Sequence, residues 1–361
     1  MIVAEIRTHR LHVPFAEPPK TGFLDLHDID LLVVEVETRE GVVGTGHLHP
    51  LAGGMRTLET CVTEMLAPLV AGADCSDPRA VWERMRLATF IQGRMGITAM
   101  AMSAIDVALW DALGRTRGVP LWRLWGGRGD PIPTYGSGCY RGLGREGMIE
   151  KARRFVDQGY GAIKMQAAHV FSHDEDVANV AAMRDALGEG VGIMVDVNQG
   201  WTPEEAATVG PRLDPYGLEW LEEPVMADDF AGYAKVSDAV RTPLATGENN
   251  WGPRDLAPFF ERRMAATLQP DVMRGGYTEL FEVAERAEAA GLSIAPHLFP
   301  ELMSHLVASI PNGTWLEWMG WFDHLWVEPM LPVGGRVAPP DRPGHGMDFR
   351  PELFTEFKAR D

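Results

Sequence analysis

The chain has 361 residues, with 51 Asp and Glu against 33 Lys and Arg, a formal net charge of −18, and 45% hydrophobic and 23% charged residues. Such acidity excludes a role built on gripping a nucleic-acid backbone, which needs a basic surface, and the composition is that of an ordinary globular protein. Three cysteines, Cys61, Cys75 and Cys139, are too few for a disulfide framework and fit a reducing, cytoplasmic setting.

Residues 1–11 alternate apolar and polar side chains, as a strand does, and lack the basic-then-apolar pattern of a secretory leader. Residues 31–38 and 42–46 read as two further strands joined at Arg39-Glu40-Gly41. Between the first two strands, residues 15–28 form a long loop rich in Pro, Gly, Asp and His, with Lys20, Asp25, His27 and Asp28 among its polar side chains. A loop of that length usually has a job, here expected to be that of a lid. Helical patterns follow at 57–70, 78–90 and 97–117. The last is apolar, but Ser103 and Asp106 interrupt it as a bilayer span, and no membrane role is expected.

From about residue 131 short apolar runs alternate with amphipathic helices. In the first helix Met148, Ile149, Ala152, Phe155 and Val156 make one apolar stripe, ended by Gly159 and Gly161. The next keeps Val177, Val180, Ala181 and Leu187 on one face and stops at Gly188. An opening strand near 133–140 and strand ends near Lys164, Asp196, Glu222, Glu248, Asp271, His297 and Glu317 make about eight such units, which predicts a parallel barrel. Three segments result: a capping α+β domain with lid loops over 1–125, a barrel over 126–320, and a Pro- and Gly-rich tail over 321–361 that packs back on the cap.

The polar residues fall at informative places. The runs Gly-Ile-Met-Val-Asp196, Leu-Glu-Trp-Leu-Glu222 and Leu-Ala-Thr-Gly-Glu248 each end in a carboxylate. In a parallel barrel the C-terminal strand ends converge on one rim, so three successive strands aim three acids at one point. Acids held that close repel one another unless a cation sits between them, and hard oxygen ligands suit Mg²⁺. The next two units end in Asp271 and His297. A carboxylate on one ring nitrogen would orient the imidazole and raise the basicity of the other nitrogen. Glu317, between Trp315 and Trp318, is expected to be desolvated, with a raised pKa that lets it donate a hydrogen bond. Lys164 could hold a substrate carboxylate, or act as a base if burial lowers its pKa.

These residues resemble the mandelate racemase/muconate lactonizing enzyme branch of the enolase superfamily over nearly the whole chain. The resemblance is carried by the helix with Ala104-Ile105-Asp106 through Trp110-Asp111, by Gly118-Val119-Pro120-Leu121 and by Gly126-Gly127. It is carried further by Asp196-Val197-Asn198, Glu222-Glu223-Pro224 and Gly247-Glu248-Asn249. It implies an α/β fold, a modified TIM barrel of (β/α)7β type whose N-terminal α+β cap is completed by the C-terminal tail. It further implies a homo-oligomer, Mg²⁺ on Asp196, Glu222 and Glu248, an Asp271–His297 dyad, and Lys164 and Glu317 against the substrate carboxylate. Asp106 and Asp111 are read as structural.

One departure from the family pattern bears on the reaction. The family often carries Lys-x-Lys at the end of the second strand, whereas this chain has Lys164-Met165-Gln166. An amide cannot abstract a proton. With His297 as the single base, the expected reaction is loss of water from a polyhydroxylated sugar acid through an enediolate, giving a 2-keto-3-deoxy acid. Gln166 and Asn198 at the rim would contact that substrate, and Lys20, His27 and His49 on the loops would read its distal hydroxyls. Two alternatives stay open: a racemase, epimerase or cycloisomerase with Lys164 as second base, and a non-catalytic metal-binding barrel.

Overall fold

Alternating apolar residues drive the N-terminal strands into an antiparallel sheet with one face covered. In the computed structural model, which describes residues 1–22, 26–51 and 53–359, β1 (Val3–Pro14) pairs with β2 (Asp28–Thr38) and β2 with β3 (Val43–Leu48). The first two strands run on past their sequence pattern until Pro14 meets Asp28, which brings the two feet of the lid loop together.

The two faces of β3 differ in kind. Gly44 and Gly46 let its backbone lie directly on the helix Ile97–Arg117: a Cβ on Gly46 would stand 2.1 Å from the Ala104 carbonyl oxygen. Neither strand nor helix can yield without separating the sheet from its cover. Gly46→Ala is therefore expected to destabilise the protein by about 3 kcal/mol, read as a lower midpoint in denaturant unfolding; an unchanged midpoint would refute this packing.

The helix Ile97–Arg117 has the bounds its pattern predicts, between Gly96 and Gly118, both at φ 68°. It is long and apolar enough to cross a membrane, yet 89% of its most apolar window is buried inside the protein. Its two acids hold the parts together. Asp106 accepts from the Thr278 N–H at 3.0 Å and the Thr278 hydroxyl at 2.5 Å, on the barrel side. Asp111 accepts from the Thr45 N–H at 2.9 Å and, in the tail, from the His345 N–H at 2.8 Å.

The barrel strands are β4 (Ile132–Cys139), β5 (Ala162–Gln166), β6 (Gly192–Asp196), β7 (Trp220–Glu222), β8 (Leu244–Thr246), β9 (Thr267–Leu268), β10 (Ser293–Ile294) and β11 (Leu316–Trp318). They pair in parallel in the order β10-β9-β8-β7-β6-β5-β4-β11. A bridge between Ile294 and Gly313 and the Thr314 N–H to Ile294 carbonyl bond at 2.9 Å bring the last unit back beside β10. Helices follow β4 through β10, while after β11 the only helical pieces among the described residues are the short turns Asp323–Leu325 and Leu353–Glu356, which gives the (β/α)7β pattern. Two of them open on full capping boxes, Ser172 with Glu175 and Thr202 with Glu205. A separate cluster of Tyr135, Met194, Trp220 and small residues fills the interior. The tail touches both layers: β12 (Arg336–Val337) pairs with β4, and the Ala359 N–H donates to the Arg10 carbonyl at 2.8 Å.

Candidate active site

Parallel register sets neighbouring strand ends side by side. Gln166 stands next to Asp196, and Asp196 next to Glu222. Glu248 lies two residues past the end of β8, and Asp271 bridges to His297 just beyond β9 and β10. Backbone strain marks the same rim. Of the eight described non-glycine residues at positive φ, seven follow barrel strand ends: Ala168, His169, Asn198, Gln199, Glu223, Leu298 and Phe299. Each costs about 1–3 kcal/mol and persists only where the surroundings dictate the geometry.

Asp196, Glu222 and Glu248 each offer a carboxylate oxygen, and these oxygens lie within 4.8 Å of one another. Their outer partners hold them in place. Asp196 accepts from the Asn198 N–H at 2.8 Å and the Asn198 amide at 2.6 Å. Glu222 accepts from Lys164 at 2.6 Å and from the Trp220 indole at 2.8 Å. A fourth acid, Glu223, is fully buried beside them, and its Oε1 has no hydrogen-bond partner. Burial pushes the Asp196 carboxyl up to about 6, and Glu248 adds to the rise. Burial raises Glu222 and Glu248 as well, and lifts Glu223 well above the usual carboxylate range, reinforced by the charges of Glu248 and Asp196. Buried acids this close are stable as anions only around a cation of high charge, and an all-oxygen donor set suits a hard one such as Mg²⁺. The residues fit that ion.

His297 faces this cluster. Its Nδ1–H donates to Asp271 at 2.8 Å, and its Nε2 lies 3.5 Å from a Glu248 oxygen. The Met273 N–H, donating to the other Asp271 oxygen at 2.7 Å, fixes the carboxylate in turn. Burial works to lower the His297 pKa, but Glu248, Asp271 and Glu317 overcome it and push it up to about 10.

Lys164 lies between two acids, 2.6 Å from Glu222 and 2.9 Å from Glu317. Burial alone would lower its pKa, but these carboxylates reverse the sign and hold the ammonium charged, well above its usual range. Glu317 departs from the sequence expectation. Burial does push its carboxyl up, but Lys164 and His297 outweigh that and bring it down to about 2. It is an anion that pairs with the Lys164 ammonium and accepts from the Leu298 N–H at 3.0 Å, and not a protonated donor.

These side chains line one cavity of about 290 Å³ with Gln166 and Asn198 in its wall. The Gln166 side-chain carbonyl also accepts from the Arg141 N–H at 3.4 Å, and Asn198 accepts from the buried Arg141 guanidinium at 2.5 Å. The expected lid readers do not reach this wall. His49, just past the end of β3, is buried, turned to the Asp30 carbonyl at 3.0 Å and packed among Phe15, Trp321 and Phe322. Lys20 and His27 are exposed and absent from the described lining, to which the loops instead contribute Thr21, Leu26 and Leu51. Asp25 lies outside the described residues.

Two charged residues of the lining had no role in the sequence reading. Glu223 was legible in Glu222-Glu223-Pro224 but carried no sign of its burial. Arg274 follows Asp271 by three residues; it donates to the Glu248 carbonyl and, at 3.1 Å, to Asn249, while stacking over Trp251. No local pattern announces that arrangement.

Comparisons with known proteins agree with the geometry. Residues 3–126 match the family described as mandelate racemase / muconate lactonizing enzyme, N-terminal domain, and residues 147–353 the one described as enolase C-terminal domain-like. A 3,6-anhydro-alpha-L-galactonate cycloisomerase of Streptomyces coelicolor is 35% identical over 329 residues, covering 89% of this chain and 90% of that protein. The crystal structure of a racemase from Streptomyces coelicolor with bound magnesium superposes with a TM-score of 0.94 at 32% identity, covering 99% of this chain and 100% of that one. The L-talarate dehydratase of a Polaromonas species, complexed with Mg and L-glucarate, gives a TM-score of 0.91 at 31% identity, covering 99% and 97%.

Proposed function

The chain belongs to the mandelate racemase/muconate lactonizing enzyme family of the enolase superfamily, and from that premise we propose that it is a Mg²⁺-dependent lyase that takes the α-proton of a sugar acid and expels the β-oxygen. Asp196, Glu222 and Glu248 would hold the Mg²⁺, which when bound supplies positive charge to the substrate carboxylate. Lys164 adds a fixed ammonium beside that carboxylate, and it stays charged because Glu222 and Glu317 flank it. His297 takes the α-proton at Nε2 while Asp271 holds the ring by Nδ1. The C2–H pair becomes the C2=C3 bond, the C3–O bond breaks, and the proton on His297 passes to the departing oxygen. The resulting enol ketonises to a 2-keto-3-deoxy acid.

The observation that carries this reading is the pairing of Lys164. An ammonium clamped by two carboxylates is no base, and Gln166 is none either. That leaves His297, the one imidazole among the described lining residues, to act on a single face, whereas racemisation needs groups on two. A sugar acid suits the amides of Gln166, Asn198, Gln199 and Asn249 in the wall. If the β-oxygen belongs to a ring, the same elimination opens the ring and loses no water. The cycloisomerase reading is thus a change of leaving group, favoured by the 35% identity to a protein of that name.

Proton NMR in D₂O over a sugar-acid library with Mg²⁺ tests the proposal. The expected result is a 2-keto-3-deoxy product and α-deuterium exchange confined to one face. Epimerisation at the α-carbon with every hydroxyl retained would make Lys164 a second base and overturn the reading.

A further inference from the structure

The cavity has two unlike ends. Its inner end carries the carboxylates, Lys164 and His297, and the polar amides sit beside them. The rest of the lining is uncharged: apolar Leu26, Leu51, Leu298, Met319 and Trp321 stand with the hydroxyls of Thr21, Ser137 and Tyr140. Positive charge is scarce in this lining. Its described cations besides His297 are Lys164 and Arg274, against Asp196, Glu223, Glu248, Asp271 and Glu317. Lys164 is already held by two acids, and Arg274 is committed to the Glu248 carbonyl, the Asn249 side chain and the face of Trp251.

A substrate with its reacting carboxylate at the inner end must place its far end against this uncharged part of the lining. A second carboxylate there would lose water without gaining a counter-charge, which is among the costliest burials a protein can make. An uncharged far end carries no such cost, and its carbons gain contact with leucine and tryptophan. The volume of about 290 Å³ limits the whole molecule to a compact acid.

Building on the proposed α-proton chemistry, we infer that the substrate is a compact monocarboxylate, sized to a cavity near the lower end of ligand-site volumes, with an uncharged far end, and not a dicarboxylic sugar acid. The specificity is set by the outer wall, where Leu51, Leu26 and their described neighbours offer a distal anion no counter-charge.

The test uses the His297→Asn protein with Mg²⁺, in which binding is measured without turnover. Calorimetric titration compares matched six-carbon acids: an aldonate, an anhydro-aldonate and an aldarate. The monocarboxylates are expected to bind at least about tenfold tighter than the aldarate, the scale on which an unpaired buried charge is rejected. Leu51 is 37% exposed, so Leu51→Arg should fold, and its new guanidinium is expected to raise aldarate affinity at least about tenfold while the monocarboxylates, which lose the leucine contact, gain nothing. Aldarate binding as tight as aldonate binding overturns the inference and makes Arg274 the distal cation, yet leaves the proton abstraction intact. No gain for the aldarate in Leu51→Arg also overturns it, since the mouth would then not be the site of rejection. If the wild type with Mg²⁺ exchanges the α-proton of no acid in the set, the proposed function falls and this inference falls with it.

Discussion

His297→Asn is expected to cut α-proton exchange and product formation together by at least about 10³-fold, near the upper range for losing a general base, in a protein that still folds and still binds Mg²⁺. Asparagine keeps a polar group near Asp271 but has no basic nitrogen at the position of Nε2. Asp271→Asn should cost less, about 10²-fold, because that carboxylate holds and tunes the ring without taking the proton. The pH profile separates the two roles. The base works only when unprotonated, so the rate rises with pH through its pKa. Asp271 raises the His297 pKa, and its removal should therefore move the acid limb of kcat/KM to lower pH. Wild-type rates in His297→Asn, or an acid limb unmoved in Asp271→Asn, would show that the dyad does not perform the proton transfer.

The second large effect is expected at the metal carboxylates. Asp196→Asn, Glu222→Gln and Glu248→Gln should each abolish Mg²⁺ binding by calorimetry and lower turnover by at least about 10³-fold, since the ion's stabilisation of the developing charge amounts to several kcal/mol. Stability should move the other way in the absence of metal. A carboxyl whose pKa is raised on folding stabilises the protein below its unfolded value and loses that contribution as pH rises through the folded one. For Asp196 that window runs from 3.8 to about 6. Above it the metal-free wild type holds mutually repelling anions that the neutral amide variants relieve, so Asp196→Asn should melt higher than the metal-free wild type at neutral pH. Addition of Mg²⁺ should raise the Tm of the wild type alone. A variant that binds the ion and turns over substrate normally would remove its residue from the metal site.

The architecture and the chemical identity of the rim were legible residue by residue because both depend on local periodicity. Buried apolar runs that end in Asp196, Glu222 and Glu248 place those acids at strand ends whatever the rest of the chain does, and parallel pairing then sets them side by side. The helix Ile97–Arg117 was equally local, an apolar stretch bounded by two glycines at positive φ.

Only tertiary structure decided the charge states and the outer wall. Glu317 reads as a desolvated acid from its tryptophan neighbours, yet it ionises because a lysine distant in sequence comes within 2.9 Å. His49 follows β3 in a polar-looking loop, but the fold packs it into an aromatic layer assembled from Phe15, Trp321 and Phe322. Leu26 and Leu51 look like incidental loop residues until barrel closure brings them over the mouth of the cavity. The physical reason is one of range. Side-chain direction within an element follows from backbone periods of two and 3.6 residues, which a sequence displays directly. A pKa or a pocket wall depends on whichever groups lie within a few ångströms, and barrel closure brings together residues that no local period relates.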